Sequence, residues 1–414
     1  MEIVRVTKRD DTNRKYKVVF FSNSPDLPTG YSKVIREVAG RLSQDPFFDV
    51  YVIGEQYSGN EYRHALGFTV LPVHQNSKDF ASVCDFWMRK LQADVLVVLE
   101  DSFTLANFQF IKLAGRDWKM VFYLPLDGKW VPSTGIHVLR LMNKIVSMAK
   151  FTQDCLKNEG FESDMIWHGV DLNLFRPVSI DEKNAIRKTL AIPQDAFVIF
   201  NYGRNSLRKD NQRLLEILSD WLVDKDEKHL AICHIMPWNV ADLDLREYLD
   251  RHIYKKHKKY FFGKQILFLD QGKDGSRETL SDAEVASLIQ ACDVVVSATT
   301  GEGFGLLNAE AMACGKPVIT TDYSTARELL IDKYDDFIGE RGVVVPYDTE
   351  FISGLNTEHV HVNREKFVKE IDALYKDPHR RELLGRNGRL FAEKYLNWDY
   401  LVEEWKEVIR RNSR

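Results

Sequence analysis

Apolar residues along this chain gather in short unbroken runs rather than alternating with polar ones. KVVFF (17–21), DVYVIG (49–54), DVLVVLE (94–100), MVFYLP (120–125) and KIVSMA (144–149) are five such runs. Their length and β-branched content predict strands buried on both faces. Between them the apolar positions take helical spacing, as in SKVIREVAGRL (32–42) and SKDFASVCDFWMRKL (77–91). After residue 195 the series restarts: FVIFNYG (197–203), HLAICHIM (229–236), QILFLD (265–270), DVVVSA (293–298), PVITTD (317–322) and GVVVPY (342–347). Strands joined by helical crossovers form parallel sheets. Two series therefore predict an α/β chain with two doubly wound, Rossmann-like domains.

The break between the series lies in HGVDLNLFRPVSIDEKNAIRKTLAIPQDAF (168–197), which holds two prolines, a polar helix and no strand. The expected division is a first domain over 1–172, a linker over 173–195, a second domain over 196–395, and a closing segment over 396–414. The stretch after 363 is helical in pattern throughout. No short-period repeat or low-complexity tract interrupts the chain.

Composition adds limits. A chain of 414 residues, 44% hydrophobic and 29% charged, reads as a soluble globular protein. A net charge of −4 argues against a dedicated nucleic-acid binder. Five cysteines, at 84, 155, 233, 292 and 314, match no zinc or disulfide spacing, which points to a reducing cytoplasm. MEIVRVTKRDDTNRKYK at the start lacks an apolar signal core, and no apolar run reaches membrane-spanning length. A cytoplasmic location is expected, with peripheral membrane attachment left open.

The segment SATTGEGFGLLNAEAMACGKPVITTD (297–322) carries the chemistry. It should run loop then helix at the carboxyl end of a strand, where open α/β sheets bind ligands. Gly301, Gly303 and Gly305 allow a tight turn and close backbone approach. The helix, roughly 305–314, is apolar nearly all round and offers its N-terminus to an anion. Yet Glu302 and Glu310 sit within this apolar segment, and buried acids need partners. Eight residues rise about 12 Å in a helix, an order of magnitude that suits a sugar, a diphosphate and a ribose laid end to end. A dipole-favouring acid plus one partnered buried Glu is the plainer account. In NYGRNSLRKDNQRLL (201–215), Arg204 and Lys209 could reach an anion, with Arg208 the competing candidate and a solvated basic loop the bland one. In SPDLPTGYSKVIREV (24–38), Gly30 either meets a ligand or only caps a helix. There is no GxGxxG, so ordinary dinucleotide binding is not supported.

These residues together resemble the retaining glycosyltransferases of family 4, which have the GT-B fold. The family pattern E-x7-E inside EGFG-x3-EAMA-G-PV reads Glu302-Gly-Phe-Gly-Leu-Leu-Asn-Ala-Glu310-Ala-Met-Ala-Cys-Gly-Lys-Pro-Val here. The phosphate clamp GR-x4-K matches Gly203, Arg204 and Lys209. The interdomain motif NGVD-x3-F-P matches HGVDLNLFRP, with His168 in place of Asn. LSDAEVASLIQACDVVVSA (280–298) is similar to the family's approach to the donor site.

The resemblance implies a GT-B fold whose last helix crosses back to the first domain, and a metal-independent hexosyl transfer from a UDP- or GDP-linked sugar to a hydroxyl acceptor. Glu302 would contact the transferred sugar and Glu310 the ribose. Gly303, Phe304, Gly305, Leu306 and Leu307 would line the donor with backbone amides. Arg204 and Lys209 would stabilise the departing diphosphate, and Gly30 would lie near it. Departures are present. Asp322-Tyr-Ser-Thr-Ala-Arg-Glu328 keeps the family's Glu but not its glycines. Where the family places a His beside the acceptor, YLPLDGKW (123–130) has Asp127, which either meets the acceptor or caps the next helix.

Other features have plainer explanations. Asp242-Leu243-Asp244 forms a D-x-D, but it opens a helical pattern where acids favour the dipole. His359 and His361 lack a third ligand nearby and are expected to face solvent. The basic stretch 251–264 could touch acidic lipid or nucleic acid, though a solvated helix end accounts for it better. Donor selectivity is expected to involve loop residues 271–280. The rival functions are a non-catalytic sugar-nucleotide or glycan binder, another GT-B enzyme such as a phosphorylase or epimerase, and a DNA-modifying sugar transferase. A binder is expected to have lost a charged site residue, yet Glu302, Glu310, Arg204 and Lys209 are all present.

Overall fold

The computed structural model describes residues 15–73, 79–108, 116–235, 244–269 and 280–413. Each apolar run named above becomes a strand. The first sheet runs, edge to edge, Tyr62–Arg63, Thr69–Pro72, Phe48–Glu55, Tyr16–Asn23, Val95–Leu99, Lys119–Leu124, Lys144–Ser147 and Asp164–Met165. Its pairs are parallel except the outermost, Tyr62–Arg63 against Thr69–Pro72. The second sheet runs Ile266–Phe268, His229–His234, Phe197–Tyr202, Val294–Ser297, Val318–Thr321 and Val343–Val345, with parallel pairing throughout. Central residues such as Val19, Phe20, Val97, Val295 and Ile319 are buried because helices cover both faces.

Strand order decides where ligands can sit. In the first sheet the order reverses between Tyr16–Asn23 and Val95–Leu99; in the second, between Phe197–Tyr202 and Val294–Ser297. At such a switch the adjoining crossovers leave on opposite faces, opening a crevice at the carboxyl ends of the strands. The segments leaving those ends are 24–29 and 100–101 in one half, and 203–209 and 298–305 in the other.

Three features differ from the sequence expectation. Thr69–Pro72 and the two-residue strands at the edges of the first sheet are too short to carry a pattern. GVVVPY is not one strand. Val343–Val345 stops before Pro346, which has no N–H for the ladder, and Tyr347–Ile352 then pairs with Glu358–Val362 as a separate hairpin. His359 is consequently buried, with its imidazole against Thr300 and Thr357, rather than facing solvent. His361 pairs with Asp210 at 2.7 Å.

The last helix, Trp398–Arg411, lies on the first-domain helix Gly30–Gln44. Asn397 caps it, and its apolar stripe of Leu401, Val402, Trp405, Val408 and Ile409 is buried. The Trp405 ring meets Tyr123 of the first sheet edge-on at 4.8 Å. Lys406 pairs with Asp45 at 3.0 Å and Arg41 with Asp399 at 2.9 Å. The outgoing and returning chains touch where the Val170 amide donates to the Leu396 carbonyl at 2.8 Å. Beside them His168 is buried between Tyr123 and Phe304, its ring nitrogens without a hydrogen-bond partner among the described residues, and burial drives its pKa down to about 3.

Emptying the Trp405 site leaves a cavity under the first sheet. Trp405→Ala should cost about 3–5 kcal/mol in urea unfolding. An unchanged midpoint and slope would mean that the final helix is undocked in solution.

Candidate active site

The loop after Val294–Ser297 is shaped by glycine. Gly305 has φ +93, a conformation that side chains resist, and it starts the helix Leu306–Ala313. A Cβ on Gly301 would stand 1.8 Å from the Asp127 carbonyl oxygen, and one on Gly303 would stand 2.6 Å from the Pro125 ring. Both contacts reach across to the first domain, so these positions hold the two halves together. Thr325 and Ser324 brace the loop from the next turn. Thr325 donates to the Phe304 carbonyl at 2.8 Å, and the Glu302 amide contacts the Ser324 hydroxyl at 2.8 Å.

Glu302 sits on this loop and is mostly buried. Lys209 reaches its Oε1 at 2.5 Å and Arg208 its Oε2 at 2.8 Å. Arg208 also donates to the Gly301 carbonyl at 2.7 Å and pairs through Nε with Asp127 at 3.0 Å. Burial opposes the charge on Glu302, but the two cations outweigh it and hold its carboxyl down at about 2. The same acids raise Arg208 against its own burial. Two acids and two bases thus form one compensated cluster spanning the domains.

Arg204, the clamp residue of the motif, is exposed, and its carbonyl accepts from Asn211 at 3.2 Å. The guanidinium at Glu302 belongs to Arg208, the competing candidate. Asp127 does not cap the next helix: Ser133–Leu139 starts after Pro132 with no side-chain cap, and Asp127 is engaged by Arg208.

Glu310 lies within the helix Leu306–Ala313 and is 2% exposed. Lys33 of the first domain reaches its Oε1 at 2.9 Å, and the Tyr202 hydroxyl donates to Oε2. Lys33 also pairs with Asp282 at 2.7 Å. Burial opposes the Lys33 charge, yet its two acids raise it. Sequence reasoning missed Lys33. Its signal was a cation in the opening turns of a helix, where the dipole disfavours it and a distant acid must compensate. Gly30 does not cap that helix, since Thr29 does, accepting from the Ser32 amide. Instead Gly30 faces Leu306, whose Cδ1 would be 3.0 Å from an added Cβ. A small cavity of about 50 Å³ remains at this end, bordered by Lys33, Glu37, Phe175, Asp282, Leu306 and Glu310.

Two more contacts tie the halves. Glu328 accepts from the amides of Lys150 at 2.8 Å and Phe151 at 3.1 Å, capping the first-domain helix Lys150–Asn158. Lys129 and Glu358 exchange backbone hydrogen bonds of 3.1 Å each way. Of the remaining sequence features, Asp242 and residues 271–279 lie outside the described residues. Asp244 caps Leu245–Tyr248. In the basic stretch, Lys256 pairs with Asp220 and Lys259 donates to the Leu222 and Val223 carbonyls, which are internal roles. Among the described residues no helix is long and apolar enough to cross a membrane.

Because Glu302 ionises more readily folded than unfolded, it contributes stability above its ordinary value of 4.5 and loses it as pH falls toward about 2. Glu302→Gln should therefore be less stable than wild type at pH 7 by roughly 3 kcal/mol. That gap should close between pH 4.5 and 2 in urea titrations. A gap independent of pH would remove Glu302 from the ion cluster.

The pattern "Glycosyl transferases group 1" matches residues 182–391. An uncharacterized glycosyltransferase of Methanocaldococcus jannaschii is 30% identical over 130 residues, 31% of each chain, so the match spans about a third of that relative. Sucrose-phosphate synthase from Thermosynechococcus elongatus superposes with a TM-score of 0.73 at 15% identity, over 96% of this chain and 99% of that one. Anabaena HepE, solved in complex with UDP and glucose, superposes with a TM-score of 0.67 at 17% identity, over 96% and 100%. The two facing Rossmann-like domains are thus a GT-B fold, and the chain belongs to the group 1 glycosyltransferase family.

Proposed function

We propose that the protein is a retaining, family-4-type hexosyltransferase that uses a nucleoside-diphosphate sugar and no metal. The observation that carries this is the pairing of Lys209 and Arg208 with Glu302 at the N-terminus of Leu306–Ala313. Cations, helix amides and a sugar-facing acid stand together at the switch point of the second sheet. HepE, which shares the fold, was solved with UDP and glucose, and that supports a uridine nucleotide donor with a guanosine one as the other choice.

On this reading the ribose hydroxyls donate to Glu310, displacing Lys33 from it. The nucleoside enters beside Phe175 and Asp282 as the domains part and widen the small cavity there. The diphosphate meets the amides at Gly303–Leu307 and takes Lys209 as its cation, with Arg204 free to swing in and Arg208 shared with Asp127. Glu302, released by Lys209, accepts from hydroxyls of the transferred sugar. The acceptor oxygen attacks the anomeric carbon on the face the diphosphate leaves. The bond to the phosphate oxygen breaks with its electron pair, and that oxygen receives the acceptor proton. Lys209 and the helix dipole stabilise the charge on the leaving group, which replaces a metal ion.

A thermal-shift panel of UDP, GDP, ADP and their sugars tests donor binding. A preferred nucleotide raises the melting temperature by mass action, and no shift with any of them would refute the reading. Lys209→Ala and Glu302→Ala should each lower turnover about 100-fold or more while the protein stays folded by circular dichroism. Turnover should persist in excess EDTA, and its loss there would contradict the metal-free mechanism.

A further inference from the structure

The two oxygens of Glu310 are held in different ways. Its Oε2 accepts from the Tyr202 hydroxyl. Tyr202 and Glu310 both belong to the second domain, on Phe197–Tyr202 and Leu306–Ala313, so that bond moves as one unit with the domain. Its Oε1 is held at 2.9 Å by Lys33, which stands on Gly30–Gln44 of the first domain, 277 residues away in the chain. Oε1 is therefore the exchangeable oxygen, because its partner comes from across the cleft.

Lys33 has a second partner. Its ammonium lies 2.7 Å from Asp282, an acid that Arg36 shares at 3.3 Å, and 5.6 Å from the centre of the Phe175 ring. The Glu310 side chain is nearly sealed from solvent, whereas those of Lys33 and Asp282 are 21% and 34% exposed. Removing Lys33 strands the Glu310 charge unless another donor replaces it. Removing Glu310 leaves Lys33 still paired and partly hydrated. The pair can thus be broken from one side: a group that donates to Oε1 sends Lys33 to Asp282 alone. A sugar hydroxyl is a weaker donor to a carboxylate than an ammonium ion, so it works against a charged rival for that oxygen.

We propose that Lys33 is a tethered competitor for the ribose of the donor: it occupies the Glu310 oxygen that the ribose hydroxyls need, and so sets how tightly a ribonucleotide binds. This rests on the proposed transferase function and adds an affinity-setting residue to its donor site. On donor binding Lys33 leaves Glu310 and rests on Asp282. As the spent nucleoside diphosphate departs, Lys33 returns, which favours release and keeps the buried acid paired in the unloaded protein. A nucleotide without ribose hydroxyls cannot replace Lys33, so it leaves the pair intact.

Isothermal titration calorimetry on the full chain at neutral pH tests this, with UDP and GDP against their 2′,3′-dideoxy counterparts. Wild type should bind the preferred ribonucleotide more tightly than its dideoxy form. Lys33→Met should tighten the ribonucleotide about fivefold or more and leave the dideoxy form within about twofold, because only the first has to displace the ammonium. Asp282→Asn removes the resting place and should weaken the ribonucleotide, with no such effect on top of Lys33→Met. If Lys33→Met does not fold, Lys33→Gln should give the same gain in part. The proposal is overturned if wild type binds both forms alike, if a folded Lys33 variant binds the ribonucleotide no better than wild type or tightens both forms equally, or if Asp282→Asn acts the same with and without Lys33. A Lys33 variant that loses affinity for every nucleotide makes Lys33 a binding cation and sinks this inference alone. Wild type that binds no nucleotide sinks the donor reading.

Discussion

Everything at the cleft depends on one exchangeable charge balance. Glu302 and Asp127 face Lys209 and Arg208, two acids against two bases, with Glu302 mostly buried and Asp127 and Arg208 each about a third exposed. Glu302, the most buried of the four, is the one whose charge would be costly to leave without a partner. In the proposed reaction the diphosphate takes a base from the acids, and sugar hydroxyls take the place of that base. Glu310 has a similar arrangement at the other end, where Lys33 holds it.

The second constraint is steric. Gly301 and Gly303 lie so close to Asp127 and Pro125 that no side chain fits between the domains there. The halves meet through backbone there, and the proposed donor could enter only when they part. Ion pairs such as Lys33–Glu310 and Arg208–Asp127 suit that motion, because separated charges regain hydration and the net difference between open and closed stays small. In the proposed transfer, closure would exclude water, the competing acceptor.

Much of this was legible in the chain. Continuous apolar runs showed parallel strands, and their restart after residue 195 showed two sheets. The spacing of Glu302 and Glu310 in a glycine-rich loop marked the site before any contact was known. Lys209 was found the same way, from a charge placed just after a strand, whereas Asp127 was noticed only because it stands where the resembled family has a histidine. What stayed hidden was whatever depends on partners distant in sequence. Arg208 rather than Arg204 meets Glu302 because a single turn, Leu207–Lys209, sets which side chain points inward. Lys33 is 277 residues from Glu310. The hairpin after Pro346 has half-exposed strands with no strong alternation, and His359 is buried only because that hairpin folds over Thr300.

The bridge between Lys129 and Glu358 has a further consequence. It is an isolated pair of backbone bonds, one residue from each half, with no neighbouring ladder rungs, supported by the Tyr323 hydroxyl and by the ion pair between the two side chains. Sheet amides nearby are released to solvent only by unfolding. These two are released whenever the cleft gapes. Their deuterium uptake is therefore a built-in stopwatch for the molecule's breathing, running independently of how stable either sheet is.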